Sequence, residues 1–238
     1  MNTEQVYYDE PYATEADVEI TSISSRNGGM VALELNKTIF YPEGGGQPTD
    51  QGELVTGTGS VKISNVRNQN GAIVHEGKMT GTVEEGQSAT ASVKWPRRHK
   101  YMRIHSAGHL LHDVLVGMRP DLKAIRGKHG DKAFLEYEGE LDPNQLEELQ
   151  SKVNEAVAAD LPIKTWECSY DELAEMCKTL PPNLPKDKQL RVLQIGHFEA
   201  MPDGGVQVKS TSEIGRVVIH HITNENGHTV IRYGVANT

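Results

Sequence analysis

The sequence predicts a small N-terminal β-barrel followed by an α+β two-layer sandwich, with domains at residues 1–95 and 96–238. Three observations predict this. Residues 14 to 95 hold only short apolar and β-branched runs cut by glycine turns. A sustained helical period begins only after Pro96. Strand-like and helical stretches then mix up to the C-terminus.

The first domain reads as six strands: Val18–Ile23, Met30–Tyr41, Gly52–Val55, Val61–Val66, Ala72–His75 and Gln87–Trp95. Asn27-Gly28-Gly29, Asn70-Gly71 and Glu85-Gly86 mark turns between them. Six short strands without a helix suit a closed barrel, which leaves no sheet edge exposed. In the second domain a helix over about 99–117 carries Met102, Ile104, Leu111, Val114, Leu115 and Met118 in apolar rows, and Gly117 and Pro120 end it. Phe134–Tyr137 reads as a strand. Asp142-Pro143 opens a second helix, with Leu146, Leu149, Val153 and Val157 on its buried stripe. Ser169-Tyr170-Asp171-Glu172 is a capping box for a short third helix. Pro181 to Pro185 reads as a surface loop, and Leu190–Ile195, Arg216–Ile222 and Thr229–Val235 as closing strands.

With 238 residues and 37% hydrophobic content, the chain is long enough for two ordinary cores. No run approaches the ~18 apolar residues of a membrane span. The polar N-terminus, Met1-Asn2-Thr3-Glu4-Gln5, has no signal-peptide pattern, so a cytoplasmic protein without a membrane partner is expected. Cys168 and Cys177 lie nine apart, which is no metal-knuckle spacing, and are expected as buried, reduced thiols. A net charge of −9 excludes a broad nucleic-acid-binding surface. It leaves room for a local one: Lys94 to Arg103 holds five basic residues in ten, among them Arg97, Arg98, Lys100 and Arg103. That run is either a phosphate contact or a solvated linker.

Three segments carry chemistry. In Arg103-Ile104-His105-Ser106-Ala107-Gly108-His109, the two histidines are one helical turn apart, so their imidazoles share a face. Neutral imidazoles so placed can hold one zinc ion, or can simply pack against a sheet. Phe40-Tyr41-Pro42-Glu43-Gly44-Gly45-Gly46-Gln47-Pro48-Thr49-Asp50-Gln51-Gly52 concentrates glycines that mark close approach of backbone or ligand. No Lys-Ser/Thr pair follows, so it is not a phosphate-cradling loop. Met201-Pro202-Asp203-Gly204-Gly205-Val206-Gln207-Val208 is a good turn in which Asp203 and Gln207 can face a metal or its water. His112 reads as packing near this site, His197 as a possible substitute imidazole, and His220 and His221 as pointing to opposite faces of a strand. A zinc protease is disfavoured, since Ser106 stands where that chemistry needs a glutamate.

In their order, these three segments resemble the freestanding alanyl-tRNA editing proteins, related to the editing domain of alanyl-tRNA synthetase. The glycine-rich motif matches at Phe40, Pro42, Gly44 to Gln47, Asp50 and Gly52. The histidine motif matches at Trp95, Arg97, Arg98, Met102, Arg103, His105 and His109 to Leu111. The block 203–215 falls where the family carries Cys-Gly-Gly-Thr-His. The resemblance implies hydrolysis of tRNA-Ala mischarged with serine or glycine, zinc as cofactor, and the tRNA acceptor end as partner. It implies metal ligation by His105, His109 and Asp203, with Gln47 and Gln207 as catalytic candidates. Gly44, Gly45, Gly46, Arg97, Arg98, Lys100 and Arg103 are the candidate substrate contacts. The chain departs from the family at two metal ligands: Asp203 replaces a cysteine and Gln207 a histidine. Aspartate keeps the thiolate's charge, whereas a neutral amide is a poor zinc ligand. Two rivals therefore stay open: a metal-deficient binding module for tRNA or protein, and a deacylase for another mischarged tRNA such as seryl-tRNA-Thr.

Overall fold

In the computed structural model, residues 3–69, 71–177, 180 and 184–236 are described. Asn70 of the expected Asn70-Gly71 turn and most of the Pro181 to Pro185 loop lie outside them. The chain divides into two compact units, Met1–Lys100 and Tyr101–Thr238.

The first unit opens with β1 (Glu4–Gln5) and the single turn α1 (Val6–Asp9). It continues through β2 (Glu15–Ser25), β3 (Met30–Leu35), β4 (Lys37–Thr38), β5 (Gly52–Thr56), β6 (Gly59–Gln69), β7 (Ala72–Gly81) and β8 (Ser88–Val93). Six of these close an antiparallel barrel in the order β2-β3-β7-β6-β5-β8. Alternating residues of its strands, including Ile20, Leu33, Leu54, Val61, Ile63, Ile73 and Ala91, fill the interior. Gly52 makes the β5–β8 contact possible: a Cβ there would sit 1.9 Å from the Ser92 carbonyl oxygen. The expected strand Met30–Tyr41 is divided: β3 ends at Leu35, Lys37–Thr38 pair in parallel with β1 as β4, and Ile39 to Tyr41 lead into the glycine-rich segment.

The second unit begins within α2 (Trp95–Met118), whose first residues belong to the barrel unit. Pro96 sits in the first turn of this helix, where its missing N–H costs nothing. After α2 come β9 (Lys123–Lys128), β10 (Phe134–Glu138), α3 (Leu146–Ala158), β11 (Ile163–Cys168), α4 (Tyr170–Met176), β12 (Leu190–Ile195), β13 (Met201–Pro202), β14 (Val217–Glu225) and β15 (His228–Val235). The strands form a four-stranded sheet, β14-β15-β10-β9, and a three-stranded sheet, β11-β12-β13. Helix α3 buries Leu149, Val153 and Val157. It also covers the edge strand β14: the Asn154 side chain bonds both backbone groups of Val217, and Gln150 accepts from the Ile219 amide. The Ser169–Glu172 capping box forms at the start of α4 as expected. Strands β9, β11 and β13 were not expected. In β9 five of six residues are exposed, so no alternation betrays it.

Candidate metal centre

Within the second unit, α2 presents His105 and His109 to Asp203, which follows β13. The His105 and His109 Nε2 atoms lie 3.2 and 3.4 Å from Asp203 Oδ1. The three ligand atoms are mutually within 4.8 Å, and this is the only such group found among the described residues. Two donors each about 2.0–2.1 Å from a tetrahedral zinc are about 3.3 Å apart, so the observed separations suit one shared ion. His109 Nε2 is buried with no hydrogen-bond partner among the described residues, the state of a donor atom reserved for a ligand.

Asp203 is braced from behind. Its backbone amide donates to the Arg191 carbonyl, and its Oδ2 accepts from Gln207 Nε2 at 2.6 Å. Gln207 Oε1 in turn accepts from the Ser106 hydroxyl at 2.6 Å, and Ser106 Oγ accepts from the Val208 amide. Gln207 and Ser106 are buried, so each polar atom in this ring needs its partner. The amide that replaces the family histidine thus has both ends engaged, and only Asp203 Oδ1 faces the imidazoles.

Protonation states favour metal binding. Burial lowers the His105 imidazole, although Asp203 pulls it back up. Burial pushes the Asp203 carboxyl up, but His105 and His109 outweigh this and hold it well below the usual carboxylate range. A neutral imidazole and an ionised carboxylate are the ligand forms zinc needs.

Sequence reasoning missed His129. Its ring stacks on His105 with centroids 4.1 Å apart and planes at 16°. Its Nδ1 lies 2.6 Å from the Tyr233 hydroxyl, which donates to the Ile104 carbonyl. Burial holds this imidazole well below its ordinary value, reinforced by His105 and His109. The signal lay in Gly108. A Cβ there would come 2.3 Å from the Tyr233 hydroxyl and 2.6 Å from His129 Nδ1. A glycine inside a helix costs about 1 kcal/mol relative to alanine, and here it admits two side chains against the helix.

Other expected residues fall elsewhere. His112 bonds and stacks on Tyr137, and burial lowers it to about 4, so it packs rather than ligates. His197 stacks on Phe198, outside the converging group. His220 and His221 do not alternate: a bulge between Ile219 and His221 leaves both exposed. Asp113, also unforeseen, has a buried Oδ2 with no partner among the described residues, and burial raises its carboxyl to about 7.

The basic run is corrected in two places. Arg98 is fully buried in the first unit, where it pairs with Asp50 and donates to the carbonyls of Pro11 and Ile39. Arg103 is buried in the second unit and donates to the carbonyls of Ile214 and Ala236. Their guanidinium donors are turned inward, onto Asp50 and backbone carbonyls for Arg98 and onto carbonyls for Arg103, rather than toward a phosphate in solvent. Arg97 is half-buried with its Nε on the Thr49 carbonyl, and Lys100 is exposed. The glycine-rich segment is a two-residue hairpin: Gly44 and Gln47 bond each other's backbone while Gly45 and Gly46 hold φ of 54° and 76°. Positive φ at both central positions is the turn that β-hairpin twist favours and glycine permits. Gln47 is buried at its end, and Asp50 anchors the segment by accepting from the Tyr41 amide and Arg98.

Comparison with known proteins gives the relatives of the whole chain. The model of class II (A) tRNA synthetases matches residues 3–97. The chain is 33% identical to the alanyl-tRNA editing protein AlaX-L of Pyrococcus horikoshii, over 91% of this chain and 54% of that protein. It is 29% identical to AlaX-M of Saccharolobus solfataricus, over 94% of each. It is 30% identical to the alanine–tRNA ligase of Shouchella clausii, over 90% of this chain and 26% of the ligase. The chain therefore spans about half of AlaX-L, a quarter of the ligase and nearly all of AlaX-M. Along nearly its whole length the chain is thus similar to alanyl-tRNA editing proteins of the AlaX type.

Proposed function

We propose that the chain is a trans-editing hydrolase that deacylates tRNA-Ala mischarged with serine or glycine. The observation that carries this reading is the convergence of His105, His109 and Asp203, with Asp203 held by Gln207 and Ser106. The reaction adds water across the ester carbon, breaks the acyl C–O bond and returns a proton to the 3′-terminal ribose oxygen. An aminoacyl ester is already activated, so positioning the water and the amino acid can suffice. His105, His109 and Asp203 would hold zinc, which supplies Lewis acidity and a more acidic bound water.

The protein's own groups set that site up. His129 fixes the plane of His105, and Met201 Sδ sits 3.0 Å from His109 Nδ1, leaving Nε2 for ligation. Gln207 acts by positioning Asp203. Gln47, supported by Gly44, Gly45 and Gly46, is the candidate for orienting water or the amino acid, and Arg97 and Lys100 remain candidate tRNA contacts. Among the described residues, no helix is long and apolar enough to cross a membrane, and a cytoplasmic site of action is proposed.

A second reading rests on the same replacements. Without a thiolate or a third imidazole, the protein would be an inactive tRNA-binding module. Metal analysis of protein purified without chelator, paired with hydrolysis of seryl-tRNA-Ala, separates the two. About one zinc per chain with hydrolysis supports the enzyme; tRNA binding with neither supports the module. Hydrolysis of seryl-tRNA-Thr but not seryl-tRNA-Ala would move the activity to the other substrate.

A further inference from the structure

We propose that the outer face of the sheet β14-β15-β10-β9 is a docking strip for the phosphodiester backbone of tRNA. The inference rests on reading the chain as a tRNA-editing protein, and it adds a contact surface to the one that Arg97 and Lys100 offer.

The strand register builds the strip. Lys128 pairs with Phe134, Phe134 with Arg232, and Arg232 with His221. Directly paired residues share a sheet face, so these four form one row across four strands. At about 4.8 Å per strand the row spans about 14 Å, long enough for several backbone phosphates of a nucleic-acid strand. The opposite face is marked by the row Leu135, Ile231 and Ile222, all buried. The bulge before His221 turns His220 to the exposed side as well, which regular alternation would forbid.

The row is basic and its charge is unspent. Lys128, Lys132 and Arg232 are exposed and make no ion pair among the described residues. Arg232 and Arg126 lie over the Phe134 ring at 5.7 and 5.6 Å, an aromatic plane interleaved with guanidinium groups. A groove of about 410 Å³ continues the strip, lined by Asp131, Lys132, His220, His221 and Arg232 among others. Of the nearby acids, Glu136 holds Arg126 and His228, while Asp131 accepts from the Tyr101 hydroxyl and keeps its charge at the rim of the groove. In a chain of net charge −9, a strip that carries Lys128, Lys132 and Arg232 outside any ion pair among the described residues fits a polyanion, and the aromatic plane favours RNA over an acidic peptide.

The test is affinity for an uncharged tRNA-Ala acceptor minihelix across 50–200 mM salt, by fluorescence anisotropy. It compares the parent, the triple variant Lys128→Gln/Lys132→Gln/Arg232→Gln, and Lys62→Gln/Lys78→Gln on the barrel as a control. Three phosphate contacts give log K a salt slope of about −2.7. The triple variant should flatten that slope by about 2 to 3 and weaken low-salt binding at least about tenfold, while the control keeps both. Arg232→Gln alone, with about one unit less slope, serves if the triple variant does not fold. A parent slope retained in these variants overturns the proposal, as does polyglutamate binding as tightly as the minihelix. An uncharged minihelix cannot be hydrolysed, so this result is independent of the editing reading. Binding with the expected slope but no hydrolysis of seryl-tRNA-Ala sinks the editing reading alone. Hydrolysis with unchanged KM in the triple variant sinks the strip alone.

Discussion

Replacing Gln207 by Leu tests whether this amide holds the metal centre without ligating it. The substitution keeps the side-chain volume and removes the donation to Asp203 Oδ2 and the acceptor for Ser106 Oγ. A hydrogen bond to a charged partner contributes about 1.5–3 kcal/mol net, and losing one partner leaves the other buried and unpaired. Groups that orient metal ligands typically govern about 10–100-fold in affinity, or about 1.4–2.8 kcal/mol at 1.4 kcal/mol per tenfold. Gln207→Leu should therefore bind zinc about 10–100-fold more weakly, because Asp203 loses the contact that turns Oδ1 toward His105 and His109. Competition titration with a chromophoric chelator measures this, and urea unfolding of the apoprotein gives the stability loss separately. Parent-like zinc affinity in a folded Gln207→Leu protein would show that the Gln207–Asp203 bond does not set the ligand geometry.

Further outcomes follow from the same contacts. Asp203→Cys with Gln207→His should tighten zinc binding, since it supplies a thiolate and an imidazole; an unchanged titration would place this loop outside the metal site. Gly108→Ala should destabilise by about 1–3 kcal/mol as Tyr233 and His129 are displaced, partly offset by about 1 kcal/mol of helix propensity; a rise in Tm would contradict that packing. In apoprotein, His75 and His112, each lowered to about 4 by burial, take up protons only on unfolding between about pH 6.5 and 4, so they lose stability as pH falls through that window. Asp113, raised to about 7, is protonated in the folded state and works the other way between about pH 7 and 3.8. Asp113→Asn should therefore raise stability above pH 7 and steepen the acid decline, and a profile parallel to the parent's would refute the assignment. Arg98→Met strands buried Asp50 and should cost about 3–5 kcal/mol in urea unfolding; a cost under 1 kcal/mol would mean the pair is dispensable.

The parts legible in the sequence were those set by local rules. Strand alternation, the Ser169–Glu172 box and the spacing of His105 and His109 each follow from neighbours in the chain. Long-range contacts were not legible. His129 gives no local sign, because its role comes from its approach, just after β9, to Gly108 of α2, and only that glycine hints that something comes close. Arg98 and Arg103 looked like a solvent-facing basic run, since nothing local reveals that carbonyls as far away as Ile39 and Ala236 need their donors. The bulge at His220 likewise defeats a strict two-residue period, and with it the expectation that the two histidines face apart.

The most direct test of the central claim is hydrolysis of seryl-tRNA-Ala by the parent and by Asp203→Ala under matched zinc. The account predicts turnover by the parent and its loss in the variant, with tRNA affinity unchanged. Equal turnover by both proteins would contradict a reaction that depends on the His105–His109–Asp203 centre.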